Sequence, residues 1–376
     1  MSSPDLAALL DRLASIQPSR YPFISLYVNA QPDDRGRDRH QAFVRSELGA
    51  RTGSYIDDAG ARESLTLDLN RIQHWLATEL QPSANGAAIF ACSAASVFEA
   101  TQLAAPIDEN LLFIGDRPHL YPLARLDARY PRYAALVCDT NHARIFVFAA
   151  GSVEKVNEID GEKTRRHDMG GWSQARLQRR IENTHKAHVQ EAVNALDRIV
   201  RVEDIPHVLV TGNEVSLPLI DECLPEPLRD RVVDIFRLET RLPEHEVLKR
   251  TLEALHRKEA ETDKEKVDAL MGAYRAGGLG VAGFERTRQA LENGQVDELL
   301  VSASLVQLEG VAGIEPALAE ADDTGAAEPI EQVDRALRVD ELVTAARMTD
   351  ATITFIEDAS LLAPVGGVGA LLRYKV

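Results

Sequence analysis

The sequence predicts an α/β (α+β) protein of three domains. Three observations carry this. The chain has 376 residues, more than one core ordinarily holds. Short apolar runs alternate with stretches of helical periodicity, the pattern of strands covered by helices. These signals fall into three sets, at residues 1–130, 131–240 and 241–376. Hydrophobic residues make up 45% and charged residues 27%, which excludes a disordered or fibrous chain.

The first set opens with a helix over Pro4–Ile16, since Leu6, Leu9, Leu10 and Leu13 share a face. Acids come early in it, so it reads as a helix and not as a signal peptide. Phe23–Val28 is an apolar strand. A polar loop follows, then helices over Gln41–Ala50 and Ser64–Leu80. Asn85-Gly86 turns the chain into a strand over Ala87–Cys92, and Val97–Leu103 and Leu111–Ile114 are further strands.

The second set begins with Tyr133–Asp139. Thr140-Asn141-His142 turns it into Ala143–Ala149, and Val153–Ile159 completes a meander. A long helix from Ser173 to Val200 carries Leu177, Ile181, Val189, Val193, Leu196 and Val200 at helical spacing. His207–Thr211 is a buried strand, Leu217–Cys223 a short helix and Val232–Ile235 a strand.

The third set begins with a charged helix over Glu244–Tyr274. A glycine-rich turn, a helix over Phe284–Asn293 and a strand over Glu298–Ser302 follow. Gly313–Asp334 holds seven acids and no base and reads as a mobile loop. A helix over Val339–Met348 and strands over Ala351–Ile356 and Leu371–Val376 close the chain.

No apolar run approaches the roughly 18 residues of a bilayer span. The cysteines Cys92, Cys138 and Cys223 are far apart and form no CxxC pair, which argues against a disulfide framework and for the cytoplasm. Net charge is −17, which disfavours a general nucleic-acid binder. The acid is uneven. Lys+Arg against Asp+Glu is 12 to 16 in the first set, 15 to 18 in the second and 15 to 25 in the third. Within the second set, residues 161–188 hold seven basic residues and three acids, with His167, His185 and His188 beside them.

Two motifs carry less than their spelling suggests. Gly278-Leu279-Gly280-Val281-Ala282-Gly283 matches a dinucleotide fingerprint, but a helix precedes it where a strand is needed, so it reads as a flexible turn. His185 and His188 share a helix face, yet no third ligand accompanies them, and no metal or cofactor is expected.

The segment that asks for a partner runs from Lys163 to Arg180. It contains Arg165, Arg166 and His167, the pair Gly170-Gly171, then Trp172, Ser173 and Gln174, then Arg176, Arg179 and Arg180 early in the long helix. Cations near a helix N-terminus oppose the macrodipole. Several there together point to an external anion, and an RNA phosphate backbone fits. Adjacent glycines allow close backbone approach. Trp172 either stacks on a nucleotide or packs on the following helix. A solvated loop with Ser173 as helix N-cap accounts for the same residues without a partner.

This segment resembles the Gly-Gly-Gln loop of the archaeo-eukaryotic peptide-chain release factor and Pelota superfamily, where a basic loop precedes a long arginine-rich helix. The resemblance extends over nearly the whole chain. Ile24–Tyr27 and Asn85–Phe90 are similar to the family's first domain. Ala134–Asp139, Arg144–Val147 and Val208–Gly212 are similar to its central domain. Phe284–Val301 and Gly366–Tyr374 are similar to its third. It implies a three-domain release-factor/Pelota-like architecture with mixed sheets. Trp172 and Ser173 separate Gly171 from Gln174, so a strict Gly-Gly-Gln is absent, and no Asn-Ile-Lys-Ser stop-codon motif is present. The pattern is nearest to the family's bacterial branch.

The resemblance implies a ribosome-associated translation factor that binds the ribosomal A site, with ribosomal RNA and tRNA as partners and a translational GTPase as a further one. By residue it gives Gly170 and Gly171 the shaping of the loop and Gln174 the placing of a water against the peptidyl-tRNA ester. Lys163, Arg165, Arg166, His167, Arg176, Arg179 and Arg180 would hold phosphates. Three functions stay open: hydrolysis of peptidyl-tRNA; occupancy of the vacant A site without chemistry, as in hibernation or rescue; and, as a weaker option, tRNA cleavage by the same loop.

Overall fold

The computed structural model describes residues 5–32, 40–52, 58–160, 173–304 and 329–375. Its first elements are α1 (Leu6–Ala14), β1 (Phe23–Asn29), α2 (His40–Thr52), α3 (Ala59–Thr78), β2 (Gly86–Cys92), β3 (Val97–Leu103), β4 (Leu111–Gly115) and α4 (Tyr121–Arg129). Asp5 starts α1 by accepting the Ala8 amide at 3.0 Å, and Asp58 starts α3 by accepting those of Gly60 and Ala61. The sheet has the order β3-β2-β1-β4 and is antiparallel throughout. Ile24, Leu26 and Val28 of β1 pack with Leu65, Ile72 and Leu76 of α3. Phe23, Ser25 and Tyr27 alternate with them and belong to the opposite face. Helix α4 carries no sequence signal of its own. It is nine residues long and buries only Tyr121, Leu123 and Ala124, too few for a periodicity.

The central elements are β5 (Tyr133–Cys138), β6 (His142–Ala149), β7 (Ser152–Asp160), α5 (Ser173–Val202), β8 (His207–Gly212), α6 (Ser216–Cys223), α7 (Glu226–Arg229) and β9 (Val232–Arg237). Their order in the sheet is β7-β6-β5-β8-β9. Strands β5, β8 and β9 are parallel, and β6 runs antiparallel to both β5 and β7. Side-chain alternation divides this sheet between two layers of helix. Ala134, Leu136, Val208 and Val210 meet Val189, Val193, Leu196 and Val200 of α5. Tyr133, Ala135, Val137 and Leu209 meet Val247, Ala254 and Leu255 of α8 (Glu244–Arg275). Both faces are covered, which is why the strands read as continuous apolar runs.

The last elements are α8, β10 (Gly280–Ala282), α9 (Phe284–Glu292), β11 (Val296–Ser302), α10 (Pro329–Met348), β12 (Thr352–Ile356) and β13 (Val368–Leu372), in a sheet ordered β10-β13-β11-β12. Three expectations are corrected here. The glycine-rich turn after α8 contains a strand, β10, which pairs with β13. The acidic stretch is not all loop, because α10 begins at Pro329, a residue whose fixed φ suits the first helical position; residues 313–328 lie outside the described ones. The closing strand is Val368–Leu372 and not Leu371–Val376. Its glycine conceals it: a Cβ at Gly369 would stand 2.6 Å from Leu270 Cδ2, so close packing requires a residue of poor strand propensity.

Each sheet is confined to one stretch of sequence. Contacts nonetheless group the chain into two compact units, Tyr130–Glu259 and Pro4–Arg129 together with Ala260–Val376. No helix among the described residues is long and apolar enough to cross a membrane.

Candidate functional site

Strand directions decide where the basic segment is carried. Since β7 runs parallel to β5, Asp160 ends β7 on the side of the sheet where Cys138, Gly212 and Arg237 end β5, β8 and β9. The chain between β7 and α5 therefore leaves from the carboxyl ends of the strands, the usual binding side of an α/β sheet. Lys163, Arg165, Arg166, His167, Gly170, Gly171 and Trp172 belong to that connection and lie outside the described residues. Gln174 and Arg176 lie in the first turn of α5. Arg179 and Arg180 follow them and are exposed.

Helix α5 is bipartite. From Arg179 to Ala187 no side chain is buried, whereas His188, Val189, Ala192, Val193, Leu196 and Val200 are. The nine residues from Arg179 to Ala187 amount to about 14 Å of helix at ~1.5 Å per residue, ahead of His188, the first buried side chain among those described in α5. Neither Arg179 nor Arg180 is held in an ion pair among the described residues, whereas Lys186 pairs with Glu222 at 2.6 Å. His188 is buried, and both its ring nitrogens lack a hydrogen-bond partner among the described residues. Those residues contain no grouping of three or more His, Cys, Asp or Glu able to hold a metal ion.

The ends of the strands are fixed by a side-chain network the sequence reading missed. Asp139 Oδ1 accepts the amides of Asn141 at 2.7 Å and His142 at 2.8 Å, and Oδ2 accepts the Thr240 hydroxyl at 2.6 Å. An Asp two residues before the middle of a tight turn is an Asx-turn signal and could have been read. Burial pushes this carboxyl up, but hydrogen bonds from Thr240 and the two amides outweigh it, and the pKa lies below its ordinary value. His142 Nδ1 in turn lies 2.8 Å from Asp160 Oδ1, at the residue where β7 ends. Arg144 donates to the carbonyls of Thr240 and Leu242 and lies over the Phe146 ring, 5.1 Å from its centroid. Beside these groups is a crevice of about 470 Å³ lined by Gly212, Asn213, Arg237 and Thr240 among others, and Arg237 is engaged by Glu214.

This network positions backbone and contains no activated nucleophile. The Cys138 thiol is pushed up to about 12, first by burial and then by the Asp139 charge, so it is not a thiolate at neutral pH. What the geometry offers is a helix end with exposed cations, suited to phosphate.

Comparison with known proteins finds similarity to release factors. Residues 118–256 match the model of bacterial archaeo-eukaryotic release factor family 10, and residues 260–376 match that of eRF1 domain 3. Over these two segments the chain is similar to archaeo-eukaryotic release factors. The matched segments include the central sheet with α5 and the whole of the third sheet. Among its relatives, an uncharacterized protein of Mycobacterium tuberculosis (strain H37Rv) is 26% identical over 375 residues, covering 97% of this chain and 96% of that one. Peptide chain release factor subunit 1 of Thermoplasma acidophilum is 24% identical over 401 residues, covering 97% and 94%. Among solved structures, the archaeal translation termination factor aRF1 aligns over 100% of this chain and 99% of its own, at 18% identity and a TM-score of 0.27. Ribosome-bound archaeal Pelota with ABCE1 aligns over 100% and 96%, at 16% identity and a TM-score of 0.42.

Proposed function

We propose that this chain is a ribosome-associated translation factor of the release-factor type, entering the A site with the N-terminal half of α5 foremost. The observation that carries the reading is the bipartite helix. From Arg179 to Ala187 it buries no side chain, its cations Arg179 and Arg180 are exposed, and it follows a basic connection that leaves from the carboxyl ends of the central strands. Full-length similarity to an archaeal peptide chain release factor supports it. Lys163, Arg165, Arg166, His167, Arg176, Arg179 and Arg180 hold phosphates of ribosomal RNA and tRNA, and Trp172 stacks on a base or on α5. Gly170 and Gly171 shape the approach to the tRNA 3′ end, where Gln174 orients water against the ester. The third domain offers a surface to a translational GTPase, and the setting is cytoplasmic.

A second reading keeps the ribosome and removes the chemistry: the chain occupies a vacant A site in hibernation or rescue. One observation favours it. Gln174 is the second residue of α5 and is separated in sequence from Gly171 by Trp172 and Ser173, so its backbone is helical and not part of a Gly-Gly-Gln run.

Ribosomes carrying peptidyl-tRNA separate the readings. Replacing Arg179 and Arg180 together with Glu is expected to weaken co-sedimentation at low salt, and the deficit is expected to shrink at high salt as phosphate attraction is screened. Gln174→Ala is expected to abolish peptide release with ribosome affinity retained. Saturating wild-type protein that leaves the ester uncut decides for occupancy. Wild-type protein that fails to sediment with ribosomes at low salt overturns both.

A further inference from the structure

In the unit formed by residues 5–129 and 260–375, one buried polar joint connects sequence segments about 220 residues apart. Asp340 of α10 and His119, just before α4, each have 1% of their side chain exposed. Asp340 Oδ2 makes a close contact with His119 Nδ1, and Oδ1 accepts the backbone amides of Leu120 at 2.7 Å and Tyr121 at 2.9 Å. The Leu120 carbonyl accepts the Ala124 amide, so Leu120 is the N-cap residue of α4. Leucine has no side-chain acceptor, and Asp340 supplies the missing cap from another part of the sequence. Its negative charge also stands at the positive end of the α4 dipole.

His119 is bound just as firmly to the first sheet. Its amide donates to Ser25 Oγ at 2.9 Å, and its carbonyl accepts the Tyr27 hydroxyl at 2.6 Å. Its ring lies against Phe113, with centroids 4.8 Å apart. Around the joint, Tyr121 donates to the Ser302 carbonyl at 3.2 Å and packs edge-on to Phe355, while Arg347 reaches Asp127 at 3.2 Å and Asp11 at 3.6 Å.

We propose that Asp340 is the clasp that makes the first and third sheets one cooperative body. Withdrawing α10 uncaps α4 and leaves the His119 imidazole and two backbone amides buried without acceptors. Stranding buried donors costs more than the bonds return when made, so the joint stays closed or opens as a whole. Two flanking pairs, Arg125 to Glu357 and Arg347 to Asp11, are partly exposed and of the kind that contribute little, whereas the Tyr121 hydroxyl on the Ser302 carbonyl is buried with the joint.

Hydrogen exchange on the full chain in rising denaturant tests this. In the wild type, the slowest amides of β1 and of β11 are expected to share one opening free energy and one denaturant dependence. In Asp340→Ala, the α4 peptide is expected to exchange at least about tenfold faster, and the β1 amides to open separately from those of β11. Asp340→Asn, which keeps one acceptor for the two amides and loses the charge facing His119, is expected to lie between. Wild-type sheets that already open independently overturn the proposal. So does a folded Asp340→Ala protein with unchanged α4 exchange and a single common opening. If Asp340→Ala does not fold, the wild-type coincidence and the Asn variant still decide.

Discussion

Gly212 is a residue whose role is set by space. It closes β8, and a Cβ built there would stand 2.5 Å from both the Cys138 carbonyl oxygen and Ser216 Oγ. That carbonyl is backbone and cannot move aside, and Ser216 is itself committed to it at 2.7 Å. Gly212→Ala is therefore expected to destabilise residues 130–259 by about 1–3 kcal/mol, the usual cost of overpacking, measured as a lowered denaturant midpoint. Asp68 shows how burial sets a titration. It is fully buried on α3 and accepts both the amide and the hydroxyl of Ser93. Desolvation raises its pKa, and the Ser93 bonds and the nearby Arg71 offset this only in part. The folded state thus holds this proton more tightly than the unfolded chain does. Stability from this group is present below its unfolded pKa of about 3.9 and is lost as pH rises through the higher folded value. Asp68→Asn lacks that dependence. The stability of wild type relative to the variant is expected to be greatest near pH 3 and to fall toward pH 7, followed by denaturant melts across that range. A constant difference would mean that the carboxyl titrates alike in both states.

At the scale of elements, α5 joins two kinds of helix in one. Leu196 lies in its packed half, fully buried against the central sheet. Leu196→Ala is expected to cost about 2–5 kcal/mol, the range for emptying a core leucine site. Arg179→Ala together with Arg180→Ala lies in the stretch Arg179–Ala187, where no side chain is buried, and is expected to change stability by no more than about 0.5 kcal/mol. Thermal melts of the two variants check the contrast, and a large loss from the arginine pair would place the first half of α5 in the core. Much of this level was legible in the sequence. Periodicity located α5, and its register with Val189, Val193, Leu196 and Val200 is the one observed. The elements that escaped were short or built from glycine. Helix α4 buries three side chains, β10 has three residues, and β13 owes its place to a glycine beneath Leu270. Local propensity cannot report a choice made by packing.

For the whole molecule, sequence order and spatial order differ. Three sets of strand signals were legible because each of the three sheets is closed within one stretch of chain. That the first and third form one compact unit was not legible, because it depends on pairings such as Asp340 with Leu120 and Tyr121 that no local pattern announces. The candidate site divides in the same way. Its basic residues and glycines stand out by composition, while the Asp139, Thr240 and His142 network that fixes the strand ends depends on residues about 100 positions apart. This organisation predicts how fragments behave. Among the described residues, two hydrophobic clusters of the central unit are built wholly from its own residues: one is formed by the sheet with α5 and α6, the other by the sheet with the first half of α8. A fragment of residues 130–259 therefore keeps the contacts of these two clusters and is expected to fold alone, with a single cooperative thermal transition. Residues 1–129 alone are in a different position. They retain the sheet and α3, but the α4 cap, the His119 partner and the Tyr121 contacts all come from beyond residue 300. That fragment is expected to show native-like exchange protection in β1 and β2 and none in residues 121–129. Adding a fragment of residues 260–376 in trans is expected to restore protection there. Full protection of 121–129 in the isolated first fragment would mean that α4 needs no cap from α10.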